Sequence, residues 1–291
     1  MLEHLELRDV GPSAEMRLDF APRLNVLTGD NGLGKSFILD IAWWALTRSW
    51  SSTPAWPHRG SRAKPVIGFG LTDGTGDVAD LSARYDFEQQ VWELSATSRS
   101  LKPGLVIHAE AHGCFSIWDP ARNSWGNESS RADRPANYHF ARGDVWNGLK
   151  KEDHVLCKGL IEDWVLWQGR RHPAFGQLER VLERLSPDER EKLAPGEPTR
   201  VWLDDVRDIP TIVTPYGTIP LTLASAGARR VIALAYLIVW AWQEHLHASK
   251  LLNQEPEKNF LEASRVDRVS DPAAREDRSG LAQGHAAVAS R

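Results

Sequence analysis

Residues 25–46 read NVLTGDNGLGKSFILDIAWWAL, and three kinds of local structure are expected from them in order. Residues 24–29 (LNVLTG) form a mostly apolar run that stops at a glycine, the pattern of an interior parallel strand. Gly29-Asp30-Asn31-Gly32-Leu33-Gly34-Lys35-Ser36 then satisfies G-x-x-x-x-G-K-[ST]. From Ser36 onward, Ile38, Leu39, Ile41, Ala42, Ala45 and Leu46 recur at helical spacing, and the pair Trp43-Trp44 is expected to pack that helix on a sheet.

A strand, a glycine-rich turn and a helix in this order suit a triphosphate. Gly29, Gly32 and Gly34 let successive backbone N–H groups, with that of Asn31, turn inward around the β-phosphate. Lys35 offers a point charge to the β- and γ-phosphates, the Ser36 hydroxyl is a ligand for Mg²⁺, and the helix aims its positive end at the anion. The expected ligand is therefore ATP with Mg²⁺.

Outward from the loop, residues 2–9 and 16–20 alternate apolar and polar and are expected to pair as strands. Three further strands are expected at 66–72, 79–87 and 89–96, and a hairpin at 104–119 turning at His112-Gly113. The region 145–193 reads as a helical lobe interrupted at Pro173. A strand over 199–206, a hairpin over 211–224 and a long helix over 225–252 follow. The longest apolar run, twelve residues at 231–242, is too short for a membrane span of about 20 residues and reads as a buried helix. Residues 259–291 are rich in Ala, Arg, Ser and Asp without period, and are expected to be disordered.

Composition narrows the classes. A net charge of −4 over 291 residues excludes a generally basic nucleic-acid binder and leaves only local patches, at 59–64 (RGSRAK) and Arg171-His172, which read as solvated faces. Two cysteines, Cys114 and Cys157, cannot build a disulfide framework, and the charged start MLEHLELRD lacks an apolar signal core. Both point to the cytoplasm and away from a membrane.

The strand pair followed by LNVLTGDNGLGKS resembles the ATP-binding heads of the RecF/SMC branch of the ABC-type ATPases. LASAGARRVIALAYLIVW resembles the signature motif of that branch, with Ala224-Ser225-Ala226-Gly227-Ala228 in its five places and Ala224 and Ala228 departing from the usual Leu and Gln. The segment CFSIWDPARNSW…YHFARGDVWNGL resembles bacterial single-head ATPases of the AAA-type or virulence-related group. The resemblance covers roughly residues 1–258 and implies an α/β fold: a P-loop NTPase of the ABC-head type, with an antiparallel strand layer and a helical lobe. It also implies that Ser225 and Gly227 act in trans on the γ-phosphate held by a second copy, so that ATP joins a homodimer. Roles of such heads extend to DNA repair and phage defence, with DNA or an effector protein as partner. A family Q-loop glutamine has no well-placed counterpart among Gln89, Gln90 and Gln168.

The resemblance also implies a Walker B strand, four apolar residues then Asp-Glu, some 25 residues after the signature. Nothing in 260–291 supplies it, so no catalytic carboxylate is assigned and the C-terminal strands of the sheet are expected to be missing. RVWLDDV (200–206) imitates the pattern but precedes the signature, and Asp204 and Asp205 read as a strand end or turn. The expectation is a member frameshifted or truncated near Asn259; the alternative is a non-catalytic nucleotide-binding module or pseudogene product. An unrelated phosphate-loop kinase using Asp204 or Asp205 is a weaker third reading. Without Walker B, the phosphate-loop strand is expected to keep an unpaired backbone edge and an exposed apolar face. His108, His112 and Cys114 form no metal set by sequence, since Cys114 lies past the turn. His245 and His247, near a helix end, read as surface residues.

Overall fold

A computed structural model describes residues 1–58, 64–72, 78–95, 103–123, 135–188 and 191–256; the segment 259–291 lies outside them. The N-terminal alternation becomes β1 (Leu2–Val10) and β2 (Ser13–Asp19), antiparallel with Leu5 opposite Leu18 and Leu7 opposite Met16. On its other side β1 pairs with β3 (Val66–Thr72), which continues to β4 (Val78–Asp86) and β5 (Val91–Leu94). The result is a five-stranded antiparallel sheet in the order β2-β1-β3-β4-β5. Its inward residues, Leu5, Leu7, Ile67, Phe69, Leu71, Leu81 and Ala83, make a core with Ile41, Trp44 and Ala45 of α1 (Lys35–Thr47).

A second core is built around the long helix α5 (Ala226–Leu251). The expected hairpin forms as β6 (Val106–Ala109) and β7 (Phe115–Trp118), joined by β8 (Tyr138–Phe140). Phe115, Ile117, Tyr138 and Phe140 face that core, and Trp240 meets both Tyr138 and Phe140 edge-on. Helices α2 (Arg142–Asn147), α3 (Leu160–Gly169) and α4 (Pro173–Leu185) pack with them, α4 beginning at the proline that interrupts the lobe.

Four expectations fail here. Residues 24–29 belong to no strand; Leu24 is 76% and Val26 71% exposed, so the apolar run has no partner strand to bury it. The sheet expected at the phosphate loop is therefore absent among the described residues, where the strand pairs are antiparallel. The lobe is not wholly helical: β9 (Leu149–Lys151) and β10 (His154–Cys157) form a hairpin inside it. The hairpin's strands, LKK and HVLC, are too short to carry an alternating pattern, and its base is closed by Gly148 and Gly159, whose backbones approach so closely that a Cβ on Gly159 would lie 2.4 Å from the Gly148 nitrogen. Third, β11 (Ala194–Arg200) ends where a strand over 199–206 was expected to run; the chain then turns through Asp204 and Asp205 into β12 (Asp208–Thr214) and its hairpin partner β13 (Gly217–Pro220). Fourth, His245 is buried and its Nδ1 lies 2.7 Å from Asp119 Oδ1, tying α5 to the end of β7.

The second core also encloses a polar chain. The Tyr236 hydroxyl donates to Asp163 Oδ2 at 2.7 Å, and Cys157 Sγ lies 3.0 Å from the same hydroxyl. Burial pushes the Cys157 thiol up to about 12, so it remains protonated and can donate to Tyr236. Burial also pushes the Asp163 carboxyl up to about 6, because desolvation outweighs the Tyr236 hydrogen bond. Since the folded state holds this proton more tightly than the unfolded chain, stability is greatest below the ordinary aspartate pKa and falls as pH rises to about 6. Two pKa units correspond to at most about 3 kcal/mol. Asp163→Asn should flatten the fall in stability between about pH 4 and 6, as read from urea midpoints across that range; an unchanged slope in the variant would contradict the assignment.

Candidate functional site

Residues 29–36, expected as a phosphate loop, lead into α1 through three glycines at positive φ. Gly29, Gly32 and Gly34 have φ of +138°, +89° and +80°, in the region that side chains beyond glycine rarely adopt. Gly34 is the N-cap of α1, and no side chain caps the helix, so its leading N–H groups are left for a ligand. Lys35 folds back across the loop and donates from Nζ to the Gly29 and Asp30 carbonyls, each at 2.7 Å. Ser36 and Asn31 are exposed beside it. The donor set, a lysine, a hydroxyl and turned backbone amides around an open Gly32, fits a phosphate chain and its Mg²⁺.

What fixes this loop in space is α1. Its two tryptophans divide the work: Trp44 stacks on Trp50 and meets Phe69 edge-on in the first core, while Trp43 stacks on His108 of β6. The expectation that both would pack on one sheet is corrected, since adjacent residues on a helix point about 100° apart. His108 also approaches Asp40 of α1 at 3.6 Å; burial lowers the imidazole pKa and raises that of the carboxyl.

The second expected element begins α5. Ser225 is its N-cap, with Oγ accepting the Ala228 N–H at 3.2 Å. Ser225, Ala226 and Gly227 are exposed, and a Cβ on Gly227 would meet nothing within 4 Å. The loop precedes a helix of the first core, and the Ser225 cap a helix of the second.

Sequence reasoning missed the arginines beside that cap. A cavity of about 500 Å³ is lined by Arg142, Arg229 and Arg230 together with Gly113 and Ala226. Arg230 donates to the Glu110 carbonyl and lies over the Phe115 ring, and Arg142 donates to the His112 carbonyl at 2.7 Å. The signal was present in the paired arginines directly after SAGA, but Arg142 arrives from a distant helix. The glutamines weighed for a Q-loop have other roles: Gln89 and Gln90 lie exposed in the turn between β4 and β5, and Gln168 links Trp164 to the Gly196 carbonyl. Asp205 is held by Arg207, whose hydrogen bonds keep its carboxyl down at about 2.

Substitution of Gly34 by alanine tests whether the loop backbone is set by its glycines. A Cβ there would meet Pro12 Cγ at 2.9 Å in addition to the positive-φ strain. Gly34→Ala should therefore lower stability by about 1–3 kcal/mol in chemical denaturation; a neutral result would mean that the loop has another conformation.

Among the described residues no helix is long and apolar enough to cross a membrane. No family model matches the chain. It is similar to the DNA replication and repair protein RecF of Magnetococcus marinus, 26% identical over 208 residues that cover 64% of this chain and 53% of the relative. The chain thus spans about half the length of the curated relative it matches.

Proposed function

We propose that this chain is an ATP·Mg²⁺-binding head of the RecF/SMC type, with the P-loop NTPase fold of that branch. The observation that carries the reading is the loop itself: three glycines at positive φ, an uncapped helix start, and a lysine whose Nζ lies over the loop carbonyls. On binding, Lys35 exchanges those carbonyls for the β- and γ-phosphate oxygens, while the backbone N–H groups from Gly29 to Gly34 close around the β-phosphate. Ser36 would hold Mg²⁺, which neutralises phosphate charge when bound. The similarity to the DNA replication and repair protein RecF supports the RecF-type reading.

The finer parts of the reading are homodimerisation through ATP, with Ser225 and Gly227 of one copy meeting the γ-phosphate of the other, and a cytoplasmic setting with DNA or an effector protein as partner. Exposure of Ser225 and Gly227, next to a cavity carrying Arg229, supports the first of these. Hydrolysis belongs to the intact family form. In this sequence the composition changes near Asn259 with no Asp-Glu pair after an apolar run, and the exposed Leu24 and Val26 support the loss of a neighbouring strand. A second reading, a nucleotide-binding module without turnover, rests on that same exposure.

Lys35→Ala should weaken ATP binding by roughly 10- to 100-fold, the worth of a hydrogen bond to a charged group, in a fluorescent-nucleotide titration. Equal binding by wild type and variant would sink the ATP assignment. Ser225→Ala should leave that titration unchanged and diminish any ATP-dependent dimer seen by light scattering. ATP turnover that depends on Lys35 would favour the enzyme over the module, and binding without turnover the reverse.

A further inference from the structure

The turn between β6 and β7 gathers three metal-ligating side chains whose sequence order had suggested otherwise. The hairpin closes with the Glu110 N–H on the Cys114 carbonyl and the Gly113 N–H on the Glu110 carbonyl, each at 3.0 Å. Cys114 is thereby carried back beside Glu110 and His112. One carboxylate oxygen, one ring nitrogen and the thiol sulfur of these residues lie within 4.8 Å of one another. His108, weighed with His112 and Cys114 in the sequence, turns toward Asp40 and Trp43 of α1.

We propose that Glu110, His112 and Cys114 form a Zn²⁺ site. The central observation is Glu110, whose side chain is 3% exposed. Its Oε1 is satisfied, accepting from Ser116 Oγ at 2.9 Å with His139 Nδ1 at 3.3 Å. Its Oε2 is buried and makes no hydrogen bond, although His112 Nε2 stands 3.0 Å away. Oxygen and nitrogen ligands of one tetrahedral ion, at about 2.0–2.2 Å from it, lie about 3.3–3.6 Å apart, so this pair at 3.0 Å would have to separate by a few tenths of an ångström to share an ion. His112 is exposed and Cys114 half-buried at this turn.

Charge and donor chemistry agree. A buried carboxylate needs a compensating cation. The neighbouring guanidinium groups of Arg142 and Arg230 donate to the backbone carbonyls of His112 and Glu110, which fixes the turn. One carboxylate, one imidazole and one thiolate are the mixed set that Zn²⁺ takes, whereas Mg²⁺ and Ca²⁺ select oxygen. Ser116 and His139 then orient the carboxylate from behind. Three protein ligands leave a fourth position open at a turn exposed through His112. The site belongs to the β6–β7 hairpin, not to the phosphate loop.

The test uses the purified full chain after chelator treatment. Zn²⁺ titrated calorimetrically should bind one per chain, and Co²⁺ should give a thiolate charge-transfer band. Cys114→Ser should abolish the band, and both Cys114→Ser and His112→Ala should weaken Zn²⁺ by at least about 10-fold. His247→Ala, an exposed histidine elsewhere, and Lys35→Ala should leave Zn²⁺ binding intact, which separates this site from the nucleotide. Failure to bind Zn²⁺, or affinity that survives both Cys114→Ser and His112→Ala, would overturn the proposal and leave Glu110 and His112 as an ion pair only.

Discussion

The grip on helix α1 is the constraint from which the arrangement of the phosphate loop follows. Residues 24–29 belong to no strand, so no sheet anchors the chain leading into the loop. Its position is inherited instead from the helix that follows. Trp44, Ile41 and Ala45 are sealed against the five-stranded sheet, and Trp43 is stacked on the β6 hairpin. Each tryptophan buries a large apolar area, and two on different faces fix both the tilt and the rotation of a helix. Asn137 adds a polar tie, donating from Nδ2 to Ser49 Oγ at 3.0 Å just past the helix end.

The same geometry links the two cores. The phosphate-loop helix faces one core through Trp44 and a strand of the other through Trp43 and Asp40. A change at the loop that shifted α1 along its axis would have to break the Trp43–His108 stack or carry β6 with it. The hairpin tip beyond β6 bears Glu110 and leads toward the arginine cavity at the start of α5. Contacts thus join α1 to β6, and the Arg230 bond to the Glu110 carbonyl joins the hairpin tip to α5.

Much of this was legible in the sequence where a local rule was sufficient. The alternation in residues 2–9, the phosphate-loop pattern, the apolar run in α5 and the Ser225 cap each depend on neighbours within a few positions. The loop glycines were assigned from spacing, and their positive φ values follow the same steric rule. What could not be read depends on distant partners. The run at 24–29 has the composition of a buried strand, but a strand requires a neighbour, and composition does not name one. His245 sits among helix-end polar residues, and only the approach of Asp119, more than a hundred positions earlier, makes it a buried group. Glu110 went unnoticed because a single glutamate in a turn carries no pattern. Its significance comes from Ser116, His139 and His112 converging on it across the hairpin and from β8.

The buried Tyr236–Cys157 contact has a practical chemical consequence. Alkylating reagents attack thiolate, and a thiol that is enclosed, hydrogen-bonded and held near 12 presents almost none at neutral pH. Cys114 is only half-buried, at a hairpin turn. A chain with two cysteines therefore behaves toward maleimides as a chain with one. A fluorophore or spin label can be placed beside Glu110 in the unaltered sequence of the chelator-treated chain, without first removing the other thiol.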